Sequence, residues 1–158
     1  MKRMVGFSVL AVAPCGLIPG TAGANQHKRP YFLWGDWWQL VVNIDPNSPE
    51  FGQVVEDGTG VATLRGRVTV HAEGEMDMVT LVYTASGVAT DASGAETWWW
   101  VEDVIGPTMV VHIDGGTGRF EGATGELTNF EITNQQDEVQ WPYQITTCEL
   151  KVTGWIIY

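Results

Sequence analysis

The sequence predicts an all-β fold, a sandwich or barrel of about eight short strands. Three observations lead there. Runs rich in Val, Ile, Thr, Trp and Tyr recur between turns built from Gly, Asp, Asn and Pro. Beyond the N-terminal segment no helical period is sustained. Near the middle of the second half stands Asp114-Gly115-Gly116-Thr117-Gly118-Arg119-Phe120-Glu121-Gly122-Ala123-Thr124-Gly125. Its glycines permit tight bends, and its lone aromatic, Phe120, would pin such a bend to a core.

The elements follow in order. Residues 1–24 read as a secretory signal peptide: Lys2 and Arg3 are the basic start, Met4 to Ala13 the apolar stretch, and Ala22-Gly23-Ala24 the small-x-small cleavage pattern. The apolar run is far shorter than the roughly 20 residues of a spanning helix. Pro14 before Cys15 fits a lipid-attachment site poorly. Residues 25–36 are expected to be a lead-in and residues 37–158 the β domain. Trp37 to Ile44 is the first strand, and Asp45 to Pro49 a loop. In Gly60 to Ala72, Val68 and Val70 alternate with Arg67, Thr69 and His71, and Glu73-Gly74-Glu75 is a turn. Val79 to Ala85 alternates again, placing Val79, Leu81 and Tyr83 on one face. Asp91 to Gly94 turns the chain into a strand over Glu96 to Val104, and another spans Thr108 to Ile113. Gly125 to Thr133 is a strand, Asn134 to Glu138 a polar turn, and Gln140 to Tyr158 one long strand or two. The apolar ending Trp155-Ile156-Ile157-Tyr158 calls for a paired strand, which closure of a barrel would provide.

Charge narrows the function classes. Losing Lys2 and Arg3 with the signal leaves 6 basic residues of the original 8 against 19 acidic ones, a net charge of −13. Phosphate recognition needs the opposite sign, so nucleic acid is not an expected partner, and neither is an anionic membrane surface. The mature chain of 134 residues, from 158 less 24, suits one hydrophobic core. Only Cys148 remains in it, so no internal disulfide can form, and the thiol is expected to act as a small apolar residue.

The segment Gly115 to Gly125 resembles the G-G-T-G-[RK]-F-x-x-A-x-G segment of dirigent proteins and the matching region of small secreted bacterial proteins thought to share the allene oxide cyclase-type barrel. Upstream, Gly58-Thr59-Gly60-Val61-Ala62-Thr63-Leu64-Arg65-Gly66-Arg67-Val68-Thr69 is similar to the G-x-G-x-A-T-H-x-G-R-x-T segment of those bacterial proteins, with Leu64 where a histidine is common. The resemblance covers roughly residues 56–133 and implies a single antiparallel β-barrel, allene oxide cyclase/dirigent-like. Gly115, Gly116, Gly118, Arg119, Phe120, Gly122 and Gly125 are its structural motif. The shared residues are architectural and carry no activity over.

Candidate site residues come from the residues themselves. In Trp98-Trp99-Trp100-Val101-Glu102-Asp103, one strand face carries Trp98, Trp100 and Glu102 and the other Trp99, Val101 and Asp103. Either face is an aromatic wall ending in a carboxylate, which suits an apolar-ligand cavity or an acid/base cyclase. Glu102 and Asp103 are therefore candidate catalytic groups. His71 and His112, each on a strand face with polar neighbours, join them: were those faces to point inward, His71, His112, Glu102 and Arg67 would meet inside a barrel, although the faces are expected to look at solvent. Trp98, Trp100, Trp37, Trp38, Tyr83 and Arg67 are the candidate ligand contacts. Arg119 is expected to brace the glycine corner through a nearby acid such as Asp114, Glu121 or Glu126. No H-x-H or H-x-x-x-H spacing marks a metal site, and no cofactor motif is present. The leading expectation is an exported barrel, extracellular or periplasmic, that binds a small apolar or aromatic molecule. A cofactor-free cyclase or isomerase and a carbohydrate binder using surface tryptophans are the alternatives, and an oligomer stays open. Without a cavity of roughly 300 Å³ both interior readings weaken sharply.

Overall fold

The computed structural model describes residues 27–158, so the expected signal peptide lies outside the described residues. The described residues form eight antiparallel strands: β1 (Arg29–Asn43), β2 (Gln53–Ala62), β3 (Gly66–Met76), β4 (Val82–Asp91), β5 (Glu96–Val104), β6 (Val111–Gly116), β7 (Thr124–Gln140) and β8 (Tyr143–Ile157). Each pairs with the next in sequence, and β8 returns to pair with β1, so the sheet closes into an up-and-down barrel. The apolar C-terminus is paired on both sides, with Ile156 fully buried. Val68, Val70 and Ala72 point inward while Arg67, Thr69, His71 and Glu73 point out. The outer face is polar along β3, while β1 and β5 present Phe32, Trp34, Trp37, Trp98 and Trp100 outward. No helix among the described residues is long and apolar enough to cross a membrane.

Several boundaries differ from the sequence reading, each for a local reason. β1 begins at Arg29, so residues 29–36 are strand rather than lead-in, held by β8 from Arg29↔Ile156 onward. Glu73-Gly74-Glu75 continues β3, and the turn falls at 77–81, where the Asp77 carboxylate accepts from the amides of Val79 and Thr80. Val79 is consequently exposed, and only Tyr83 of the expected Val79, Leu81 and Tyr83 face lies inside. The polar stretch 134–138 is part of β7, which runs on to Gln140 before turning at Trp141 and Pro142. β7 tolerates it through two bulges, with Asn129 (φ 55°) and Asn134 (φ 53°) in the left-handed region that asparagine adopts more readily than most residues.

The alternating strand directions gather the β2–β3, β4–β5 and β6–β7 connections at one end, and this end is plugged. After β6 the glycine segment makes one turn of 3-10 helix, Gly118–Phe120, that drops Phe120 into the barrel with no exposed surface. Two guanidinium groups lie against its ring, Arg65 at 4.6 Å and Arg119 at 4.9 Å from the centroid, and Tyr158 meets it edge-on at 5.2 Å. Arg65 is buried and donates to Thr97 Oγ1 (2.5 Å) and to the carbonyls of Ala89 (2.6 Å) and Ala95 (2.9 Å). Arg119 braces the corner as expected, but through Asp91 (2.8 Å) rather than Asp114, Glu121 or Glu126. The other oxygen of Asp91 accepts from the Ser93 hydroxyl (2.5 Å), the Ser93 amide (2.8 Å) and the Ala95 amide (3.1 Å).

Two outcomes follow from this plug. Phe120→Ala empties a fully enclosed site and should lower unfolding free energy by about 4 kcal/mol in urea titrations. Asp91 is held at a pKa of about 2, first by the Ser93 hydroxyl and then by the Ser93 amide, Arg119 and the Ala95 amide, against the opposing effect of burial. Its stabilisation is therefore complete above about pH 4 and is lost as pH falls toward the folded value. Asp91→Asn should remove that acid-sensitive part, seen as a smaller drop in melting temperature from about pH 5 to about pH 2.5.

Candidate functional site

The opposite end of the barrel is not plugged. β6 pairs with β7 only from Val111↔Leu127 to Asp114↔Thr124, whereas β7 and β8 stay paired to Gln140↔Tyr143. The upper half of β7 therefore has no strand beside it on the β6 side. Residues on either side of that gap, Met109 before β6 and Phe130 on β7, line two adjoining chambers of about 60 and 120 Å³. Both are lined by Trp38, Glu56, Tyr83, Met109, Phe130 and Leu150. The inner one adds Trp99 and Tyr31, and the outer one adds Leu40, Ile105, Ile132, Gln135, Thr146 and Cys148.

Local sequence explains how bulky rings and a void coexist. A bulge at Gly35–Trp37 in β1 shifts the alternation, so that Trp38 turns in and Trp37 turns out. The Trp38 indole lies across Gly58 of β2, where a Cβ would overlap the ring, and the Trp99 indole lies across Gly87 of β4 in the same way. Ala72, Ala85 and Ala89 keep the facing wall thin. The β7 bulges do the same for the mouth: inward positions pass from Leu127 to Phe130 and Ile132, then to Gln135.

At the junction of the chambers sits a buried carboxyl. Glu56 Oε1 accepts from Trp38 Nε1 at 2.5 Å, and Oε2 accepts from the Tyr83 hydroxyl at 2.6 Å. All three side chains are buried. No Lys, Arg or His lines either chamber, so no basic side chain there neutralises the carboxyl. Burial pushes the Glu56 carboxyl above the ordinary carboxylate range, against the Tyr83 and Trp38 hydrogen bonds, which favour the ionised form. Burial likewise raises the Tyr83 phenol, with the neighbouring Glu56 adding to it, and raises the Cys148 thiol. The site thus offers a weakly acidic carboxyl, a phenol and a neutral thiol among apolar walls.

The sequence-derived candidates divide sharply. Trp38 and Tyr83 line the chambers. Trp37, Trp98 and Trp100 are exposed on the outer surface, and Trp99 is the inward member of its triplet. Trp100 stacks on His112 at 4.3 Å between centroids, also outside. His71 is exposed and paired with Asp57 at 2.8 Å, an interaction that raises its pKa. Arg67 is exposed and 3.4 Å from Asp36. Glu102 shares the outer face of Trp98 and Trp100. Asp103 stands beside Tyr83 in register, but its carboxylate is occupied by the amides of Val104 (2.8 Å) and Val110 (3.1 Å), where it ties down the β5–β6 loop. His71, His112, Glu102 and Arg67 therefore do not converge inside the barrel. Among the described residues no group of three His, Cys, Asp or Glu is placed to hold a metal ion. Leu64, the departure from the resembled motif, lies with φ 67° in the β2–β3 turn at the plugged end, away from the chambers.

Glu56 was absent from the sequence candidates. Gln53 to Ala62 places valines on both faces, so alternation does not orient the strand. The usable signal is Gly58 and Gly60 on the Glu56 face, a strip without side chains that a barrel rich in tryptophan needs on its inside.

Compared with known proteins, the chain matches no protein-family profile and no curated protein sequence.

The raised Glu56 pKa makes a prediction about stability. With the folded pKa above the unfolded value of about 4.3, the contribution of Glu56 is full below that value and declines as pH rises through the folded one. Glu56→Gln should therefore lose less stability than the parent between about pH 4 and about pH 8, measured by urea midpoints at both.

Proposed function

We propose that this chain is an exported β-barrel that binds a compact, largely apolar molecule in its interior. The observation that carries this reading is the apolar chamber, open at one end, with a single buried carboxyl in its wall. The chambers are smaller than the roughly 300 Å³ of ordinary ligand pockets, which counts against fatty-acid-sized or drug-sized occupants. A void of about 150 Å³ lined by apolar side chains is enough to take up benzene. The two adjoining chambers, about 60 and 120 Å³, together exceed that, so a molecule of about one ring suits them only if it spans both. The resemblance of the Gly58 and Gly115 segments to allene oxide cyclase and dirigent barrels adds support for a working interior. The same architecture also supports a second reading, a cofactor-free isomerase. A weakly acidic carboxyl beside a phenol, among apolar walls, is suited to general acid/base work.

Surface carbohydrate binding has less behind it. The exposed Trp34 and Trp37 are on β1 and the exposed Trp98 and Trp100 on β5, four strands away in an eight-stranded barrel, and one face of Trp100 is taken by His112.

Titration of intrinsic tryptophan fluorescence tests the reading. Toluene should give a saturable change that weakens at least about tenfold in Met109→Trp, which crowds the mouth, and is unaffected in Trp98→Ala and Trp100→Ala. A response confined to oligosaccharides and lost in the two alanine variants would move the function to the outer surface.

A further inference from the structure

We propose that the chamber selects organic amines, compact molecules carrying one ammonium group on an apolar body, with Glu56 as the counter-ion. This rests on the interior-binding reading and names the ligand class.

The charge inventory is the first argument. Glu56 is a carboxyl buried among apolar walls with no basic residue lining either chamber. A buried carboxylate without a positive partner is costly, and a ligand that brings the missing charge removes that cost. An anionic ligand would meet the carboxyl with no cation to balance it.

The hydrogen-bond geometry is the second. Each Glu56 oxygen already accepts one bond from a neutral donor, Trp38 Nε1 or the Tyr83 hydroxyl. This is the arrangement of an acceptor, and each carboxylate oxygen has a further lone pair for an N–H donor. Trp38 and Tyr83 thereby hold the carboxyl in a fixed orientation. A charge-assisted bond to it is stronger than a neutral one.

The walls are the third. Trp38 and Tyr83 bond the carboxyl and, with Trp99 and Phe130, line its chamber with aromatic side chains, whose faces attract ammonium groups. The rest of the lining is aliphatic or thioether, as in Leu150 and Met109. A bare inorganic cation would need several oxygen ligands, which this lining does not supply. An ammonium needs one carboxylate and accepts apolar company for its carbon skeleton. The excess of 19 acidic over 8 basic residues further raises the local concentration of cations around the barrel.

Calorimetric titration of the purified protein with benzylamine, benzyl alcohol, toluene and benzoate tests this, because the four share a ring and differ in the polar group. Benzylamine should bind at least about tenfold more tightly than benzyl alcohol, and benzoate should not bind. In Glu56→Gln the amine and alcohol affinities should converge to within about twofold, while toluene binding persists. Tyr83→Phe, which keeps the carboxyl, should retain the amine preference. Equal binding of benzylamine and benzyl alcohol by the parent protein, or any preference for benzoate, would overturn the amine inference and leave interior binding standing. An amine preference that survives in folded Glu56→Gln would overturn the role of Glu56. Failure of all four to bind would sink the interior reading itself.

Discussion

The pairing of β8 with β1 is the constraint on which the rest depends. It runs from Arg29↔Ile156 to Asn43↔Tyr143 and converts an antiparallel meander into a closed surface with no free long edge at the seam. Closure of eight strands also fixes the interior to a width that side chains nearly fill. Every inward position is then committed: a large residue must face a small one, and each end must be either sealed or left open. The chain seals one end with Phe120 between Arg65 and Arg119, and leaves the other open by making β6 far shorter than β7.

Within that limit the interior is shaped by indoles lying on glycines. Trp38 over Gly58 and Trp99 over Gly87 place large flat rings where the opposing strand has no side chain, and the space they leave forms the chambers. Glu56 is tied into this packing by its bonds to Trp38 and Tyr83, which join β1, β2 and β4. The same three residues set the chemistry of the site. The barrel wall and the polar centre are therefore one structure, and a change in the packing of Trp38 is also a change in the carboxyl that it holds.

Much of the fold was legible in the sequence because turn residues and period-two alternation are local signals. The strand Glu96 to Val104, the turn at Asp91 to Gly94, the Phe120 corner and the paired C-terminus all came from such signals. What was not legible depends on phase. A bulge reverses which residues point inward, and three of them, one in β1 and two in β7, decide that Trp38, Phe130 and Gln135 face the chamber and that Trp37 does not. In the tryptophan triplet both faces are aromatic, so the sequence offers no preference between Trp99 and its two neighbours. Trp99 is the inward one, opposite Gly87 on the neighbouring strand. Glu56 was hidden for the same reason, with valines on either side of its strand. Glu102, His71 and His112 all lie on the outer face, and alternation alone does not say which face of a strand turns inward.

Glu56 is a buried carboxyl held between Trp38 and Tyr83. The most direct test of this arrangement is the indole N–H resonance of Trp38 followed by NMR across a pH titration. A Glu56 carboxyl so held gives a downfield, exchange-protected signal whose position shifts with a midpoint above the ordinary carboxylate range, as Glu56 changes its protonation. A Trp38 indole signal at an ordinary position, exchanging rapidly with water and insensitive to pH, would contradict that arrangement.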